Sequence, residues 1–356
     1  GDVYKRQKET ITLKDNKKHK KAEYGILITG LIILLAATCV IALCAGQYSV
    51  SVPEVIKILA SRFVNVTKTW SNTAEGVVFT LRLPRMIGAV LVGSALSLSG
   101  AAYQGVFKNP LVAPDLLGVS SGACVGASVA ILLHLNSFGV QAMAFVAGIL
   151  AVGLTLFIPR LIKNTNMTML VLSGIIVKGI MDSVMGIIKY VADPETELQS
   201  ITYWQLGSLT KVLPRDLFTV GPVIIAASVI IFLLRWRINI LSLGDREAKT
   251  LGVSVTVVRN FIIICATLLT ASAVCISGTI GWIGLVIPHF ARMLTGPDNT
   301  KAIPASILIG AIFMVAIDTL ARALTSVELP LSILTGIIGA PFYICLLYTS
   351  PSPRDS

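Results

Sequence analysis

Long apolar runs alternate with short polar segments along nearly the whole chain. A run of about 20 mainly apolar residues is long enough to cross the hydrocarbon core of a membrane. Backbone polar groups in lipid must be hydrogen bonded within the segment, so each run predicts a helix. Ten candidate spans follow, at 25–46, 86–106, 116–135, 139–160, 168–190, 217–235, 257–278, 280–296, 303–323 and 330–347. The eighth is the weakest, because Pro288 and His289 interrupt it.

The composition indicates the same class of protein. Hydrophobic residues make up 54% of the 356 residues and charged residues 13%, whereas a soluble domain carries about 25% charged residues. The mean hydropathy is +0.82. The predicted fold class is therefore an all-α polytopic membrane protein with about ten transmembrane helices.

The distribution of Lys and Arg predicts the orientation of these spans. Six lysines precede the first span, at positions 8, 14, 17, 18, 20 and 21. Positive charge next to a span stays in the cytoplasm, so we expect the N-terminus inside and, with ten spans, the C-terminus inside as well. This orientation places the segment 241–255 in the cytoplasm and the segments 47–85 and 191–216 outside.

Both ends of the chain look like translated sequencing adapters. The strings are "GDVYKRQ" at 1–7 and "CLLYTSPSPRDS" at 345–356. We expect both to be artefacts, because such scars lie outside the folded protein. The remaining sequence then divides into a basic cytoplasmic segment at 8–24 and a single ten-helix domain at 25–344.

Charged side chains inside the predicted spans are candidates for function. Lys178 and Asp182 lie in the fifth span, where charge is costly and faces either a cavity or another charge. Their i, i+4 spacing allows them to pair locally. Two interpretations stay open, a paired couple at a helix–helix contact and the polar wall of a water-filled pathway. Asp318 and Arg322 repeat the spacing nearer the external end.

Prolines interrupt two of the apolar segments. Pro110 and Pro114 lie in "FKNPLVAPDLLG", and Pro288 lies in "GLVIPHFARMLTGPD". Proline breaks helices, and broken helices are tolerated at membrane depth where they are buried or line a cavity. We therefore group these prolines with their neighbours Asn109 and His289 as pathway candidates. A lone histidine favours a structural hydrogen bond over a metal site.

The chain lacks recognisable catalytic motifs. It contains neither H-E-x-x-H nor G-x-S-x-G, and the string from Gly244 to Thr250 lacks the second glycine of a P-loop. Its three histidines are scattered, so no metal site is predicted. Its basic residues are split among short loops, which argues against nucleic-acid binding. We predict a protein that is not an enzyme and binds no cofactor itself; any energy source lies on another chain.

A short charged island separates the sixth and seventh spans. It reads "LSLGDREAKTLGVSV" and covers 241–255. The spacing predicts two short helices joined at Gly252, with Gly244 and Ala248 on one side and the charged groups outward. A solvated interfacial turn is the alternative interpretation.

Four stretches in the correct order resemble a known family. They are "LRLPRMIGAVLVGSALSLSGAAYQGVFKNPLVAPDLLGVSSGA" (81–123), "LGDREAKTLGV" (243–253), the stretch 277–322 and "ELPLSILTGIIGAPFYI" (328–344). They resemble the iron-chelate and vitamin B12 permeases, the FecCD family of type II ATP-binding-cassette importers. The resemblance implies a homodimer in the bacterial inner membrane, with substrate passing along the subunit interface. It also implies two ATPase subunits that bind ATP and magnesium, and a binding protein that delivers the cargo.

The resemblance also implies roles for particular residues. Arg82, Arg85 and Arg322 match arginines at the external mouth that meet carboxylates of the binding protein, and we expect them to be exposed. The implied coupling loop to the ATPase consists of Leu243, Gly244, Asp245, Glu247, Ala248, Leu251 and Gly252.

The expected cargo is an iron chelate, either a siderophore complex or haem, with vitamin B12 as the alternative. If Lys178 faces the pathway, it would favour an anionic chelate. A competing hypothesis is an ion-coupled secondary transporter, which would need an inverted repeat and carboxylates near the midplane. Asp182 is the carboxylate that this hypothesis would use.

Overall fold

The computed structural model describes the backbone of residues 2–164, 166–324 and 327–349, and the side chains of residues 21–164, 166–324 and 327–344. The adapter-like ends at 1–7 and 345–356 lie outside the residues whose side chains are described, so that expectation stays a prediction. The described helices are α1 (Asp2–Cys44), α2 (Val52–Ala60), α3 (Asn72–Gly76), α4 (Leu83–Phe107), α5 (Val119–Leu132), α6 (Ser137–Leu161), α7 (Met167–Val191), α8 (Glu197–Leu206), α9 (Pro214–Leu243), α10 (Asp245–Thr250), α11 (Val255–Ser277), α12 (Ile283–Thr295), α13 (Asn299–Ala323) and α14 (Leu331–Thr349).

The ten predicted spans correspond to ten apolar helical segments of the described chain. Seven are long and apolar enough to cross a membrane, and they lie in α1, α4, α6, α7, α9, α11 and α13. Three shorter apolar helices, α5, α12 and α14, match the other predicted spans. The prediction of an all-α polytopic membrane protein with about ten spans is therefore confirmed.

Two of the short helices begin after an irregular segment. The chain leaves α4 at Phe107 and forms a single 3₁₀ turn at Pro114–Leu117 before α5. This outcome confirms the predicted break at Pro110 and Pro114. The predicted break at Pro288 is wrong, because α12 runs through it from Ile283 to Thr295. Since α12 begins only at Ile283, this proline removes one backbone hydrogen bond near the start of the helix.

Helix α4 lies in the centre of the bundle and contacts its neighbours through small residues. A Cβ atom added at Gly93 would lie 2.2 Å from the Gly310 carbonyl oxygen of α13, and one added at Gly100 would lie 1.8 Å from the Gly284 carbonyl oxygen of α12. The Ser97 hydroxyl donates to the Ser306 carbonyl at 2.7 Å. These contacts bring helix backbones together as small residues do in membrane proteins.

Gly100→Ala is expected to lower the free energy of unfolding by about 1–3 kcal/mol or more, because α4 and α12 must separate to admit a methyl group. Thermal unfolding in detergent can be followed with a thiol-reactive dye, since Cys124 and Cys275 are buried. Gly153→Ala in α6 is the matched control, because a Cβ there meets nothing within 4 Å. Equal melting temperatures for the two variants would contradict the close contact.

The helix termini collect at two opposite ends of the bundle. At one end the Tyr24 hydroxyl of α1 donates to the Lys301 carbonyl of α13 at 3.2 Å. Asn239 of α9 donates to Asp298, just before α13, at 2.6 Å. This end carries α10 and is called the α10 end. The other end contains the C-termini of α1 and α13 and the start of α4, and is called the arginine end.

Candidate functional site

At the arginine end, Arg82 binds the C-terminus of α1. Its side chain is 5% exposed. Its guanidinium donates to the Leu43 carbonyl at 2.7 Å, to the Cys44 carbonyl at 3.1 Å and to the Tyr48 carbonyl. The last carbonyl groups of a helix have no partner within the helix. A cation next to these carbonyl groups also interacts favourably with the negative end of the helix dipole. Arg82 therefore acts as a cap for α1.

Arg322 extends this cap from the last turn of α13. Its guanidinium donates to the Ala42 carbonyl of α1 at 2.8 Å. Its Nε atom lies 3.5 Å from Oδ2 of Asp318, four residues earlier. The i, i+4 spacing of Asp318 and Arg322 therefore brings their side chains within ion-pair distance.

Arg85 joins two carboxylates that lie far away in the sequence. Its Nε atom donates to both oxygens of Asp318, at 2.8 and 3.0 Å. Its Nη1 atom donates to both oxygens of Glu328, at 2.8 and 2.9 Å. Arg85 is 7% exposed and Asp318 is 2% exposed. Bidentate bonds of this kind are short, strong and geometrically specific, so they fix α4 against α13 and the segment that leads to α14.

Glu328 is the most accessible member of this network. Besides Arg85, the Thr210 hydroxyl donates to it at 2.7 Å. Burial acts to raise the pKa of this carboxyl, but the bonds from Arg85 and Thr210 outweigh burial and hold the pKa below its usual range. Glu328 is therefore ionised and engaged at neutral pH. The sequence reasoning missed this residue, although it is a lone acid beside an apolar span.

The expectation that Arg82, Arg85 and Arg322 are exposed is wrong. Each guanidinium sits at the edge of the bundle, where a buried charge needs hydrogen-bond partners. Helix carbonyls and carboxylates of the same chain supply those partners. The three arginines therefore build the arginine end, and their role in docking a binding protein stays a prediction.

At the α10 end, the charged island forms one short helix. Gly244, with φ +147°, separates α9 from α10, and Gly252, with φ +75°, separates α10 from α11. Both conformations favour glycine. The expected second short helix is absent from this described segment, because after Gly252 the chain enters the long helix α11 at Val255.

Ion pairs and one buried alanine position α10. Oδ1 of Asp245 accepts from Nη2 of Arg259 in α11 at 2.6 Å and lies 3.7 Å from Nζ of Lys108, just after α4. Ala248 is completely buried against the bundle. Helix α10 is thus fastened to three other elements, α4, α9 and α11, through which a displacement of α10 would pass to the spans.

The outer surface of α10 combines charged and apolar side chains. Arg246, Glu247 and Lys249 are exposed. Leu243 and Leu251 flank the helix and are 65% and 60% exposed. These exposed leucines are available for contact with a partner protein.

A cavity of about 280 Å³ with a mixed polar and apolar lining lies between the two irregular segments of the bundle. Its walls come from the 3₁₀ turn, the start of α5, the middle of α7 and the loop before α12. Its polar lining includes Asp115, Ser120, Ser121, Asp182, Gln205 and Thr279. Pro114 and Trp282 form part of its apolar lining.

The structure assigns Lys178 a different partner from the predicted one. Its Nζ atom lies 3.0 Å from Oδ2 of Asp115, and Oδ1 of Asp115 accepts from the Ser120 amide at 3.0 Å. The predicted local pair with Asp182 is therefore wrong, because the 3₁₀ turn brings a carboxylate closer. Within the described chain, Asp182 has no cation within 4 Å.

The other pathway candidates are not brought to this cavity, apart from Pro114. Asn109 and Pro110 lie in an exposed loop at the α10 end, where the Asn109 side chain accepts from the Leu111 amide at 2.9 Å. Pro288 is buried in α12 and His289 is half-buried beside it. In the part of the chain that the structure describes, no group of three or more His, Cys, Asp or Glu side chains could hold a metal ion.

A polytopic helical bundle that encloses a cavity between its helices is typical of membrane transport proteins. Residues 33–349 match the model of the FecCD transport family, and the chain belongs to that family. It is the permease subunit of an importer of the ATP-binding-cassette type, and the ATPase activity of such importers lies in a separate subunit.

Relatives of known name and a solved structure agree with this assignment. The chain is 40% identical over 272 residues to a protein of Helicobacter pylori named for iron chelatin transport, covering 76% of this chain and 82% of the relative. It is 37% identical over 326 residues to the molybdate import system permease protein MolB of Haemophilus influenzae, covering 91% and 96%. A structure described as a metal-chelate type ABC transporter in an inward-facing conformation aligns with a TM-score of 0.82 at 35% identity, covering 91% of this chain and 99% of that one.

Proposed function

We propose that this chain carries an iron chelate, a siderophore complex or haem, across the bacterial cytoplasmic membrane. Two copies form the homodimer along whose interface the chelate passes. Two ATPase subunits that bind ATP and magnesium drive the transport, and an external binding protein delivers the chelate. The observation that carries this proposal is α10, a short helix with exposed leucines that is fastened to several spanning elements.

Helix α10 is suited to couple an ATPase to the bundle. Its outer residues are free to contact a partner, while Asp245 and Ala248 attach its inner side to neighbouring helices. A push on α10 would therefore act on α9, α11 and the end of α4. The proposal places the α10 end in the cytoplasm, in agreement with the excess of Lys and Arg expected there.

The arginine end would then face the binding protein. Docking through Arg82, Arg85 and Arg322 would require a carboxylate of the binding protein to replace a group of the same chain. Glu328 is the partner that could be replaced, because it is more exposed than Asp318. An arriving carboxylate would compete with Glu328 for Arg85.

The choice of an iron chelate rests on the iron chelatin relative and on the metal-chelate type structure. Molybdate is a second candidate, because MolB aligns over 91% of this chain. Vitamin B12, the alternative expected from the sequence, is the third cargo to test. Measuring which compound the complete transporter moves would identify the cargo.

The test is uptake into proteoliposomes that contain the permease, its ATPase and its binding protein. Labelled ferric siderophores, haem, vitamin B12 and molybdate are offered separately, with and without ATP inside. ATP-dependent accumulation of a ferric siderophore or haem is the expected result. Accumulation of molybdate or vitamin B12 alone would overturn the iron assignment, and accumulation that persists without ATP would favour a secondary transporter.

A further inference from the structure

A group of cations lies at the α10 end, where α1, α9 and α13 meet. The charged side chains described at these three helix ends are Lys21, Glu23, Arg235, Arg237, Asp298 and Lys301. Four cations thus stand against two carboxylates. In the described chain, none of the four cations has a carboxylate oxygen within 4 Å of its side-chain nitrogens. The junction of the three helices therefore has a net positive charge.

Tyr24 of α1 brings two of these cations close to each other. Nζ of Lys301 in α13 lies 5.7 Å from the centroid of the Tyr24 ring. The Tyr24 hydroxyl interacts electrostatically with Arg235 of α9. Two cations held around one aromatic ring repel each other, and an anion placed between them would reverse the sign of that interaction.

Asp298 does not supply this anion. Its Oδ1 atom accepts from the Asn239 side chain at 2.6 Å, and from the amide and hydroxyl of Thr300 at 2.9 and 2.8 Å. These neutral donors hold the carboxylate away from both cations. Nη1 of Arg235 donates to the Phe232 carbonyl at 2.6 Å, while its Nε atom is buried without a hydrogen-bond partner in the described chain. A guanidinium has five N–H donors, so the chain uses only part of this one.

The three residues lie at the depth of the lipid headgroups. Tyr24 directly precedes the first predicted span, Arg235 is the last residue of the sixth, and Lys301 comes two residues before the ninth. Trp236 is 64% exposed, and exposed tryptophans are enriched at the membrane–water interface. Arg235 and Lys301 are therefore placed at the level of phosphate groups rather than in the hydrocarbon.

The junction is open to the surrounding lipid. Helix α1 lies at the edge of the bundle, because only 11% of its most apolar stretch is buried. Ile26 and Leu233, each two residues deeper than Tyr24 and Arg235, are 73% and 70% exposed. Acyl chains can pass along these side chains while a headgroup reaches the cations.

We propose that the junction of α1, α9 and α13 binds the headgroup phosphate of an anionic phospholipid, through Arg235 and Lys301. Basic pockets between spanning helices bind such headgroups in other membrane proteins. The phosphate supplies the anion that the two cations lack and thereby holds α1 against α9 and α13. This binding goes beyond the proposed transport and depends on neither the cargo nor the ATPase.

Competition between two phospholipids tests the proposal. The purified permease in a nonionic detergent is mixed with phosphatidylglycerol and phosphatidylcholine at equal concentrations, and native mass spectrometry counts the lipids that remain bound. Both lipids carry a phosphate, but choline neutralises the second one. We expect the permease to retain phosphatidylglycerol in preference to phosphatidylcholine.

Removing the two cations should remove this preference. Arg235→Gln and Lys301→Gln are each expected to lower it about five-fold, the effect of one cation near a headgroup. Arg235→Lys combined with Lys301→Arg keeps both charges and should retain the preference. Arg160→Gln combined with Lys163→Gln is the matched control, because it removes two exposed cations from the same end of the bundle.

Three results would overturn the proposal. The first is equal retention of the two lipids by the unchanged permease. The second is an equal loss of preference in the matched control, which would show that general surface charge attracts the lipid. The third is displacement of phosphatidylglycerol by millimolar inorganic phosphate, which would identify a site for free phosphate. If the variant with both glutamines does not fold, Lys301→Gln alone decides, and an unchanged preference in that variant would also contradict the proposal.

Discussion

Replacing Arg85 with methionine is expected to lower the free energy of unfolding by about 3–5 kcal/mol. Methionine fills much of the arginine volume but leaves Asp318, which is 2% exposed, without its two shortest ionic hydrogen bonds. The buried carboxylate then keeps only the longer contact with Arg322, at 3.5 Å, which offsets little of the cost of its desolvation. Thermal unfolding of the purified permease in detergent measures the change.

A double-mutant cycle separates this charge effect from simple loss of packing. Asp318→Asn removes the buried charge, so Arg85→Met should cost much less in that background, and the two changes should be strongly non-additive. Lys68→Met is the control, because Lys68 pairs with Glu75 at 2.8 Å on an exposed surface, where an ion pair contributes about 1 kcal/mol or less. Equal losses for Arg85→Met and Lys68→Met would show that the arginine network does not stabilise the bundle.

The structural role of Arg82 and Arg85 limits which variants can test docking of the binding protein. Charge reversal at Arg82 and Arg85 would disrupt the cap of α1 and the pair with Asp318, so a loss of binding-protein capture would follow from misfolding alone. Changes at Glu328 avoid this problem, because Glu328 lies at the accessible edge of the network. Stability has to be measured beside docking for each of these residues.

The spans could be predicted from the sequence because the length and hydropathy of a run decide whether it crosses a membrane. Helix α9 shows where that signal ends. It continues to Leu243, past the predicted boundary at residue 235, because Ile238 and Leu241 are buried against the bundle, and Gly244 then ends it. Hydropathy identifies the apolar run and carries no information on how far the helix extends beyond it.

The ionic partners could not be predicted, because they depend on contacts between distant segments. Arg85 binds Asp318 and Glu328, which lie 233 and 243 residues away. Lys178 binds Asp115, which lies 63 residues away. Sequence spacing suggests only local partners on one helix. Such spacing fits the ion pair of Asp318 with Arg322, but it could not indicate that Asp115 would bind Lys178.

The two surfaces of α10 could be separated only in the structure. The sequence suggested Gly244 and Ala248 on one side and charges on the other. The structure agrees for Ala248, which is buried. It follows that a bulky residue at Ala248 would disturb the packing of the chain itself. Contact with an ATPase must be tested at residues that the bundle leaves exposed.

Replacing Leu243 and Leu251 together with glutamine is expected to weaken binding of the ATPase subunit by about 30-fold or more and to abolish ATP-driven uptake. Glutamine keeps most of the leucine volume and tolerates exposure, so the permease itself should melt at an unchanged temperature. A central interface side chain contributes about 2 kcal/mol or more, which corresponds to the stated loss of affinity. Co-purification with the ATPase and titration of the complex measure the effect.

Two further variants make this test specific to α10. Leu135→Gln, an exposed leucine between α5 and α6, should leave assembly and uptake intact, because the topology places it on the opposite side of the membrane. Ala248→Leu should lower the melting temperature, because its side chain enters the packed bundle. Loss of assembly in the Leu243 and Leu251 variant at an unchanged melting temperature identifies α10 as the contact surface. A variant that binds the ATPase as tightly as the wild type would show that the ATPase docks elsewhere on the α10 end, and the coupling role of this helix would be wrong.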